Sequence, residues 1–279
     1  MISVLLSLYS KESCNNLDAA LASLKQQTIL PDEVVAVFDG PLPLELEKVF
    51  FDSFKETKFP VKVIRLGKNS GLGIALANGF AACQQDYILR VDTDDINRPI
   101  RIEKQLKFIK ENPHVDAFGS WIEEFNSKPG DLKRCRRTPI SADAVRRFAK
   151  KRNPMNHMTM VVRRSSAIQA GGYIDYPGFE DYYLWFRMLK NEMILENMPE
   201  VLVDARVGDG MTRRRRGIVY MRKEISLFRE MRECKFISHY RYTTNICQRY
   251  ILRLAPPAVL FVIYWIFLRH KVDDKSMFT

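Results

Sequence analysis

Three carboxylates fall within four positions of the sequence, at Asp92, Asp94 and Asp95, directly after the apolar run of residues 87–91. Magnesium and manganese ions take oxygen ligands and commonly sit between one or two carboxylates and the phosphates of a substrate. On an extended chain the D-x-D spacing puts Asp92 and Asp94 on the same side. The alternative is a solvated acidic turn before a helix, with Asp95 or Asn97 as its N-cap. The motif alone does not decide between these two interpretations.

A second carboxylate pair, Glu180 and Asp181, begins the helical pattern "EDYYLWFRMLKN". The dipole of a helix stabilises an anion at its N-terminus, and activation of a hydroxyl acceptor requires an ionised carboxylate. The alternative is a plain acidic first turn. Trp185 lies at helical spacing from Asp181, and we expect it in the core and not as a platform for a sugar ring.

The elements that must position these residues alternate between strand and helix. The apolar runs "ISVLLSL", "EVVAVFD", "VKVIRL" and "DYILRVD" are separated by helical patterns of roughly 10–15 residues, which predicts βαβ units and a parallel sheet. Ligands of open α/β sheets bind outside the carboxyl ends of the strands. Asp39 and Asp92 each end a predicted strand, so we expect both carboxylates to face one crevice. For Asp39, which precedes Gly40 and Pro41, the alternative is a simple turn.

Beyond Pro99 the pattern becomes more basic and less regular. We expect a helix at residues 101–112, a strand at 115–125, an exposed loop or hairpin at 128–139, a strand at 158–165, a helix from 179 and a helical, basic region from 220 onward. His157 stands just before the strand expected at 158–165 and could contact a phosphate or an acceptor, although a lone histidine is as readily structural.

Composition narrows the class of protein. The 279 residues are enough for one large α/β domain or two small ones. Lys and Arg number 44 against 33 Asp and Glu, a net charge of +11 that favours anionic partners such as nucleotides, phospholipid headgroups or nucleic acid. The five cysteines form no C-x-x-C pair, and no secretory signal peptide stands at Met1, which favours a reducing, cytosolic setting.

Four consecutive arginines occupy positions 213–216. The guanidinium group donates paired hydrogen bonds to phosphate oxygens, so Arg213 and Arg216 could close over a diphosphate. The alternative is a solvated basic stretch that touches anionic lipid.

The apolar run of residues 255–268 is shorter than the ~20 residues that a membrane-spanning helix needs. Arg249 and Arg253 precede it, residues 269–271 are basic, and Tyr264 and Trp265 lie inside it. Cationic flanks and aromatic residues favour a segment that lies in the membrane interface. The alternative is a helix that packs on the body of the protein or in a dimer interface.

Several motifs, taken in their order along the chain, resemble the family-2 glycosyltransferases of the GT-A fold. They are "SVLLSLYSKE", "SLKQQTILPDEVVAVFDG", "RLGKNSGLGIALANGF", "DYILRVDTDD" and "NHMTMVVRRSSAIQAGGYIDYPGFEDYYLWFRM". The resemblance covers roughly residues 1–216 and implies a Rossmann-like, mostly parallel sheet flanked by helices. It also implies a nucleotide-sugar-binding half at 1–97 and an acceptor-binding half at 98–216. Residues 217–279 would then form a basic helical extension that associates with a membrane.

The resemblance also implies roles for individual residues. Asp39 would hydrogen-bond the nucleobase, although the family usually has two acidic residues where this chain has Phe38 and Asp39. Asp181 would be the general base, with Glu180 orienting the acceptor or supporting the helix cap. The other implied contacts with the nucleotide sugar are Leu8, Ser10, Glu12, Asp92, Thr93 and Asp94, with Asp94 and Asp95 as the metal ligands.

We therefore predict a metal-dependent, inverting hexosyltransferase that uses Mn²⁺ or Mg²⁺ and a nucleoside diphosphate sugar, with UDP expected from the family. Its predicted acceptor is a lipid-linked glycan of surface polysaccharide synthesis, met at the cytoplasmic face of the membrane by a peripheral protein. One alternative is a nucleotidyltransferase that makes a sugar nucleotide, but the first loop, "SLYSKES", lacks the glycines such enzymes carry there. The other is a basic module whose binding of nucleic acid is sensitive to salt. Our prediction includes no nucleic-acid partner and leaves an oligomer open.

Overall fold

A computed structural model describes residues 1–207 and 217–254 of the chain. Within these ranges the strands form one central sheet, in the order β3-β2-β1-β4-β8-β6-β9-β5, with β7 paired to β6. The strands are β1 (Ile2–Leu8), β2 (Glu33–Phe38), β3 (Val61–Arg65), β4 (Tyr87–Val91), β5 (Ile96–Asn97), β6 (Ala117–Phe125), β7 (Arg134–Arg136), β8 (Val161–Arg163) and β9 (Leu195–Arg206).

Helices cover both faces of this sheet. They are α1 (Cys14–Lys25), α2 (Leu44–Phe54), α3 (Leu72–Ala82), α4 (Arg101–Glu111), α5 (Ala142–Ala149), α6 (Arg164–Gln169), α7 (Glu180–Lys190), α8 (Ile218–Glu233) and α9 (His239–Leu254). A single 3₁₀ turn, His157–Thr159, precedes β8.

The first four strands run parallel to one another, which confirms the predicted βαβ units. β1 pairs in parallel with both β2 and β4, and β2 pairs in parallel with β3. Strands β1, β2 and β4 are almost entirely buried because helices cover both of their faces, and this explains their unbroken apolar sequences. Their carboxyl ends therefore meet at one edge of the sheet, as predicted.

Beyond β4 the sheet is mixed. β8 runs antiparallel to β4 and β6, while β6 pairs in parallel with the 12-residue strand β9. The sequence did not reveal β9, which contains Pro199 and whose pairing with β6 shifts register beside Trp121. The strand predicted at 158–165 is shorter than expected because its first residues form the 3₁₀ turn and its last two residues begin α6. The segment at 128–139 forms the predicted hairpin through β7.

Two apolar clusters pack on opposite faces of the sheet. One joins the sheet to α1, α2 and α4, with Leu17, Phe50 and Ile102 among its members. The other joins it to α3, α7 and α8 and includes the fully buried Trp185. The expectation that Trp185 belongs to the core is thus confirmed.

The helices after residue 216 pack against this second cluster. Leu227, Phe228 and Met231 of α8 are fully buried in it. Arg249 of α9 pairs with Glu224 of α8 at 2.5 Å, and both side chains are about 5% exposed. Among the helices of the described residues, none is both long and apolar enough to cross a membrane. The apolar run predicted to associate with a membrane, residues 255–268, lies outside the described residues.

Candidate active site

The acidic motif follows β4 at the carboxyl edge of the sheet. One carboxylate oxygen from each of Asp92, Asp94 and Asp95 lies within 4.8 Å of the others, a separation that suits a shared divalent cation. The backbone N–H of Arg206, at the end of β9, donates to Oδ1 of Asp95 at 2.8 Å. Oδ2 of Asp95 is buried and has no hydrogen-bond partner among the described residues. A buried carboxylate oxygen in that state fits a metal ligand, because leaving it unpaired is costly.

The pKa values of this cluster also favour binding of a cation. Burial, and then the charge of Asp92, raise the pKa of Asp94 to about 6 and hold the pKa of Asp95 well above its usual range. Each carboxylate is thus hard to ionise while its neighbours are ionised and no cation is near. A bound divalent cation would offset this repulsion, and the carboxylates of Asp92, Asp94 and Asp95 could hold it.

Two buried arginines, one in β4 and one in α4, contact the acidic motif or the strand that leads into it. Nη2 of Arg90, in β4, lies 2.5 Å from Oδ1 of Asp92, and Nη2 of Arg101, in α4, donates to the backbone oxygen of Arg90 at 2.8 Å. Arg101 also donates to Asn97, and its complete burial lowers its pKa to about 9. Sequence reasoning did not select either residue, although an arginine inside the apolar run "YILRV" was a usable signal because buried charges are normally paired.

The second carboxylate pair begins α7, as predicted. Glu180 is 8% exposed, and burial raises its pKa. The side-chain amide of Asn153 donates to Oδ2 of Asp181, while Oδ1 of Asp181 accepts from the backbone N–H of Tyr182 at 2.7 Å. These two donors fix the carboxylate of Asp181 in one orientation. Sequence reasoning missed Asn153, since its 28-residue separation from Asp181 gives no local signal.

One cavity of about 580 Å³ joins the two acidic centres. Asp92, Asp94 and Asp95 line one side of it, and Glu180 and Asp181 line another. A cavity bounded by a metal-type cluster and an oriented carboxylate can hold a phosphorylated substrate beside a proton acceptor.

His157 also borders this cavity. Its Nε2 lies 2.8 Å from the hydroxyl oxygen of Tyr173, and burial lowers the pKa of the imidazole. The ring is therefore neutral near pH 7 and suits hydrogen bonding better than binding of an anion.

The residues predicted around the nucleoside lie at the ends of β1 and β2. Asp39 is 4% exposed, and its carboxylate accepts from the backbone N–H groups of Ser70 and Gly71 at 2.6 and 3.0 Å, just before α3. Leu8 is fully buried and Ser10 is exposed. None of these predicted nucleoside contacts lines the cavity between the acidic centres, so the two sets form separate parts of the same sheet edge.

A hydrogen bond ties the first loop to the acidic motif. Oγ1 of Thr93 donates to Oε2 of Glu12 at 2.9 Å, so these two predicted contacts lie side by side. Gly40 lets the chain after β2 approach the loop before α3, because a Cβ there would lie 2.5 Å from the backbone nitrogen of Asn69. Arg213 and Arg216, predicted to contact a diphosphate, lie outside the described residues.

Two relatives that align over nearly the whole chain are named as sugar transferases. It is 38% identical over 264 residues to the amylovoran biosynthesis glycosyltransferase AmsE of Erwinia amylovora, covering 95% of this chain and 98% of the relative. It is 36% identical over 262 residues to the UDP-Gal:alpha-D-GlcNAc-diphosphoundecaprenol beta-1,3-galactosyltransferase of Escherichia coli, covering 94% of each.

Solved structures share the fold at low sequence identity. Staphylococcus aureus TarS 1–349 in complex with UDP-GlcNAc superposes with a TM-score of 0.66 at 18% identity, covering 90% of this chain and 72% of that one. The mannosyltransferase PcManGT of Pyrobaculum calidifontis, in complex with GDP-Man and Mn²⁺, gives 0.63 at 12% identity, covering 97% and 81%. The neighbours support the GT-A fold, and one of them holds a divalent metal.

The family model described as "Glycosyl transferase family 2" matches residues 3–172, which include the whole acidic motif at the end of β4. The chain belongs to glycosyltransferase family 2, and it is a glycosyltransferase of the GT-A fold.

Proposed function

We propose that this enzyme transfers a sugar from a UDP-sugar to a hydroxyl of a lipid-linked glycan during synthesis of a surface polysaccharide, with inversion at the anomeric carbon. The observation that carries the proposal is that the acidic motif and Asp181 line the same cavity. The names of the relatives support it, since one acts in amylovoran biosynthesis and another uses a UDP-sugar and a diphosphoundecaprenol-linked acceptor.

On the donor side, Asp39, Glu12 and Thr93 would hold the nucleoside at the ends of β1, β2 and β4. Asp94 and Asp95 would hold a manganese or magnesium ion, with Asp92 fixed beside them by Arg90. Such an ion offsets the negative charge of a leaving diphosphate. The unpaired, buried Oδ2 of Asp95 and the raised pKa of Asp94 support this assignment.

On the acceptor side, Asp181 would act as the general base. Its carboxylate takes the proton of the acceptor hydroxyl, the hydroxyl oxygen forms a bond to the anomeric carbon, and the bond from that carbon to the diphosphate breaks. Nucleoside diphosphate leaves with the bonding electrons. A single displacement of this kind inverts the configuration, and Glu180, buried beside the base, would orient the acceptor.

We assign the chain to two functional halves and an extension on the same reasoning. The donor residues fall within 1–97 and the base falls within 98–216, while 217–279 would bring the enzyme to the membrane. The net charge of +11 supports contact with anionic lipid at the cytoplasmic face. A peripheral location of this type would deliver the active site to an acceptor anchored in the bilayer.

Incubation with a panel of UDP-sugars and a synthetic sugar diphosphate carrying an alkyl chain tests the proposal. We expect release of UDP together with a product one hexose larger than the acceptor. Asp181→Asn should bind UDP in calorimetry as the unmodified enzyme does and yield no product. Release of pyrophosphate from UTP and a sugar 1-phosphate, with no UDP released from the UDP-sugars, would indicate a nucleotidyltransferase. Near-normal turnover by the variant would remove Asp181 as the base.

A further inference from the structure

The first two turns of α8 form a wall of the cavity that holds Asp181. Val219, Tyr220 and Lys223 line this wall, and Glu180 and Asp181 line the same cavity. The motifs at the sheet edge and the proposed donor contacts include no residue of α8. This side of the cavity is therefore available for binding the acceptor.

The charges around the cavity make Lys223 distinctive. Five carboxylates line the space, against the two permanent cations Arg206 and Lys223. The guanidinium group of Arg206 donates to backbone oxygens of Asp94 and Asn126, both at 3.2 Å, and it lies over the ring of Phe125. No carboxylate of the described residues lies within 4.0 Å of the ammonium group of Lys223. Among the described residues that line the cavity, Lys223 is thus the permanent cation that is available to an anionic ligand.

Contacts with the loop before α7 hold Lys223 in a defined relation to the base. The hydroxyl of Tyr176 donates to the backbone oxygen of Lys223 at 3.3 Å. The ring of Tyr220 packs on Phe179, with centroids 4.7 Å apart, and lies so close to Gly178 that a Cβ there would be 3.2 Å from it. Since this loop leads directly into Glu180 and Asp181, the start of α8 and the base are parts of one packed unit.

The surface next to Lys223 is apolar. Ile218 is 54% exposed and Val219 is 70% exposed, and both precede Lys223 on α8. An available cation in a cavity lined by five carboxylates, with apolar side chains beside it, matches a ligand that joins an anionic group to a lipid.

We propose that the start of α8 is the subsite for the diphosphate of a glycosyl diphosphate lipid, with Lys223 as the residue that binds it. The inference rests on the proposed function and adds to it the group that receives the acceptor's anion. The acceptor hydroxyl lies at Asp181, the diphosphate contacts Lys223, and the lipid chain leaves the cavity past Ile218 and Val219. Without Lys223 the described lining of the cavity would hold five carboxylates, and its remaining permanent cation would be Arg206, which is engaged with backbone oxygens.

The test is a cycle that changes the enzyme and the acceptor in turn. The acceptors are N-acetylglucosamine α-diphosphate with an undecyl chain and undecyl N-acetylglucosaminide without phosphate, each offered with a panel of UDP-sugars. A hydrogen bond to a charged group contributes about 1.5–3 kcal/mol, so Lys223→Gln should raise KM for the diphosphate acceptor about 10- to 100-fold. When the diphosphate of the acceptor and the ammonium group of Lys223 are both removed, KM should rise no more than when either one is removed alone.

Arg222→Gln is the matched control, because Arg222 is exposed on the same helix and does not line the cavity. It should leave KM for both acceptors unchanged, and Lys223→Gln should bind UDP with unchanged affinity in calorimetry. Equal KM values of the Lys223 variant and the unmodified enzyme for the diphosphate acceptor would overturn the subsite alone. Failure of the unmodified enzyme to use the diphosphate acceptor with any UDP-sugar would overturn the proposed function, and the subsite with it.

Discussion

The side-chain amide of Asn153 donates a hydrogen bond to Oδ2 of Asp181. Asn153 lies shortly after α5. Backbone oxygens at the end of α5 and in the residues that follow it accept hydrogen bonds from side chains of other helices. Tyr182 of α7 donates to Ala149 at 2.6 Å, while Asn245 and Arg249 of α9 donate to Lys150 and Lys151 at 2.9 and 2.6 Å. The orientation of the proposed base therefore depends on residues that are remote from it in sequence.

Replacing Asn153 should slow transfer without weakening donor binding. Asn153→Ala removes a hydrogen bond to a charged group, and we expect kcat to fall about 10- to 100-fold with KM for the UDP-sugar unchanged. Asn153→Asp keeps the shape of the side chain, including the oxygen that accepts from the N–H of Met155, but replaces the donor. It should lose at least as much activity at pH 8. The exposed Asn78→Ala is the control, and full activity of the Asp variant at pH 8 would show that no donor to Asp181 is needed.

Removing one carboxylate of the acidic motif should abolish the metal-dependent binding of the nucleotide. Calorimetry should detect Mn²⁺-dependent binding of UDP to the unmodified enzyme and none to Asp94→Ala. Because Asp94 is held among like charges, the variant should be at least as stable as the unmodified enzyme in EDTA, and Mn²⁺ should raise only the Tm of the latter. Asp18→Asn, exposed on α1, is the control. Unchanged Mn²⁺ dependence of UDP binding in the Asp94 variant would refute the metal role.

His157 should make the protein less stable in acid. Burial lowers the pKa of this imidazole in the folded state, so below the unfolded value of 6.5 the unfolded chain binds more protons than the folded one. The stabilisation is present above pH 6.5 and is lost as the pH falls towards the folded-state pKa. We expect the drop in Tm between pH 7.5 and pH 5.5 to be smaller for His157→Gln than for the unmodified protein. The exposed His114→Gln should leave that drop unchanged, and an equal drop in both variants would contradict the assignment.

The ion pair between Arg249 and Glu224 should be a large contributor to the docking of α9. Truncating one partner of a buried pair leaves an uncompensated charge, so Arg249→Ala should lower the free energy of unfolding by about 3–5 kcal/mol. The Arg249→Met, Glu224→Met double variant should lose less than Arg249→Ala, because neither charge is left buried alone. Lys107→Ala, from the exposed pair with Glu111, should change stability by less than about 0.5 kcal/mol in urea denaturation. A similarly small loss for Arg249→Ala would indicate that α9 is docked by its apolar contacts.

The sequence determined the parallel half of the fold and the location of both acidic centres. Apolar strand runs alternating with amphipathic helices have few alternatives to a βαβ arrangement, and the carboxyl ends of such strands meet at one edge. For that reason Asp39 and Asp92 could be assigned to the same edge, and Glu180 and Asp181 to a helix N-terminus, from local patterns alone. The order of the motifs was enough to identify the family, which the relatives then confirmed.

Only the tertiary structure decided which groups surround these carboxylates. Strand β9 carries no clean alternation, because its pairing with β6 is interrupted, yet it brings Arg206 to Asp95 across 111 residues. Asn153 and Lys223 acquire their significance from partners that only packing brings near. Local propensity acts over a few residues, whereas burial, charge pairing and the shape of a cavity depend on contacts between distant segments, and these contacts set the chemistry of the site.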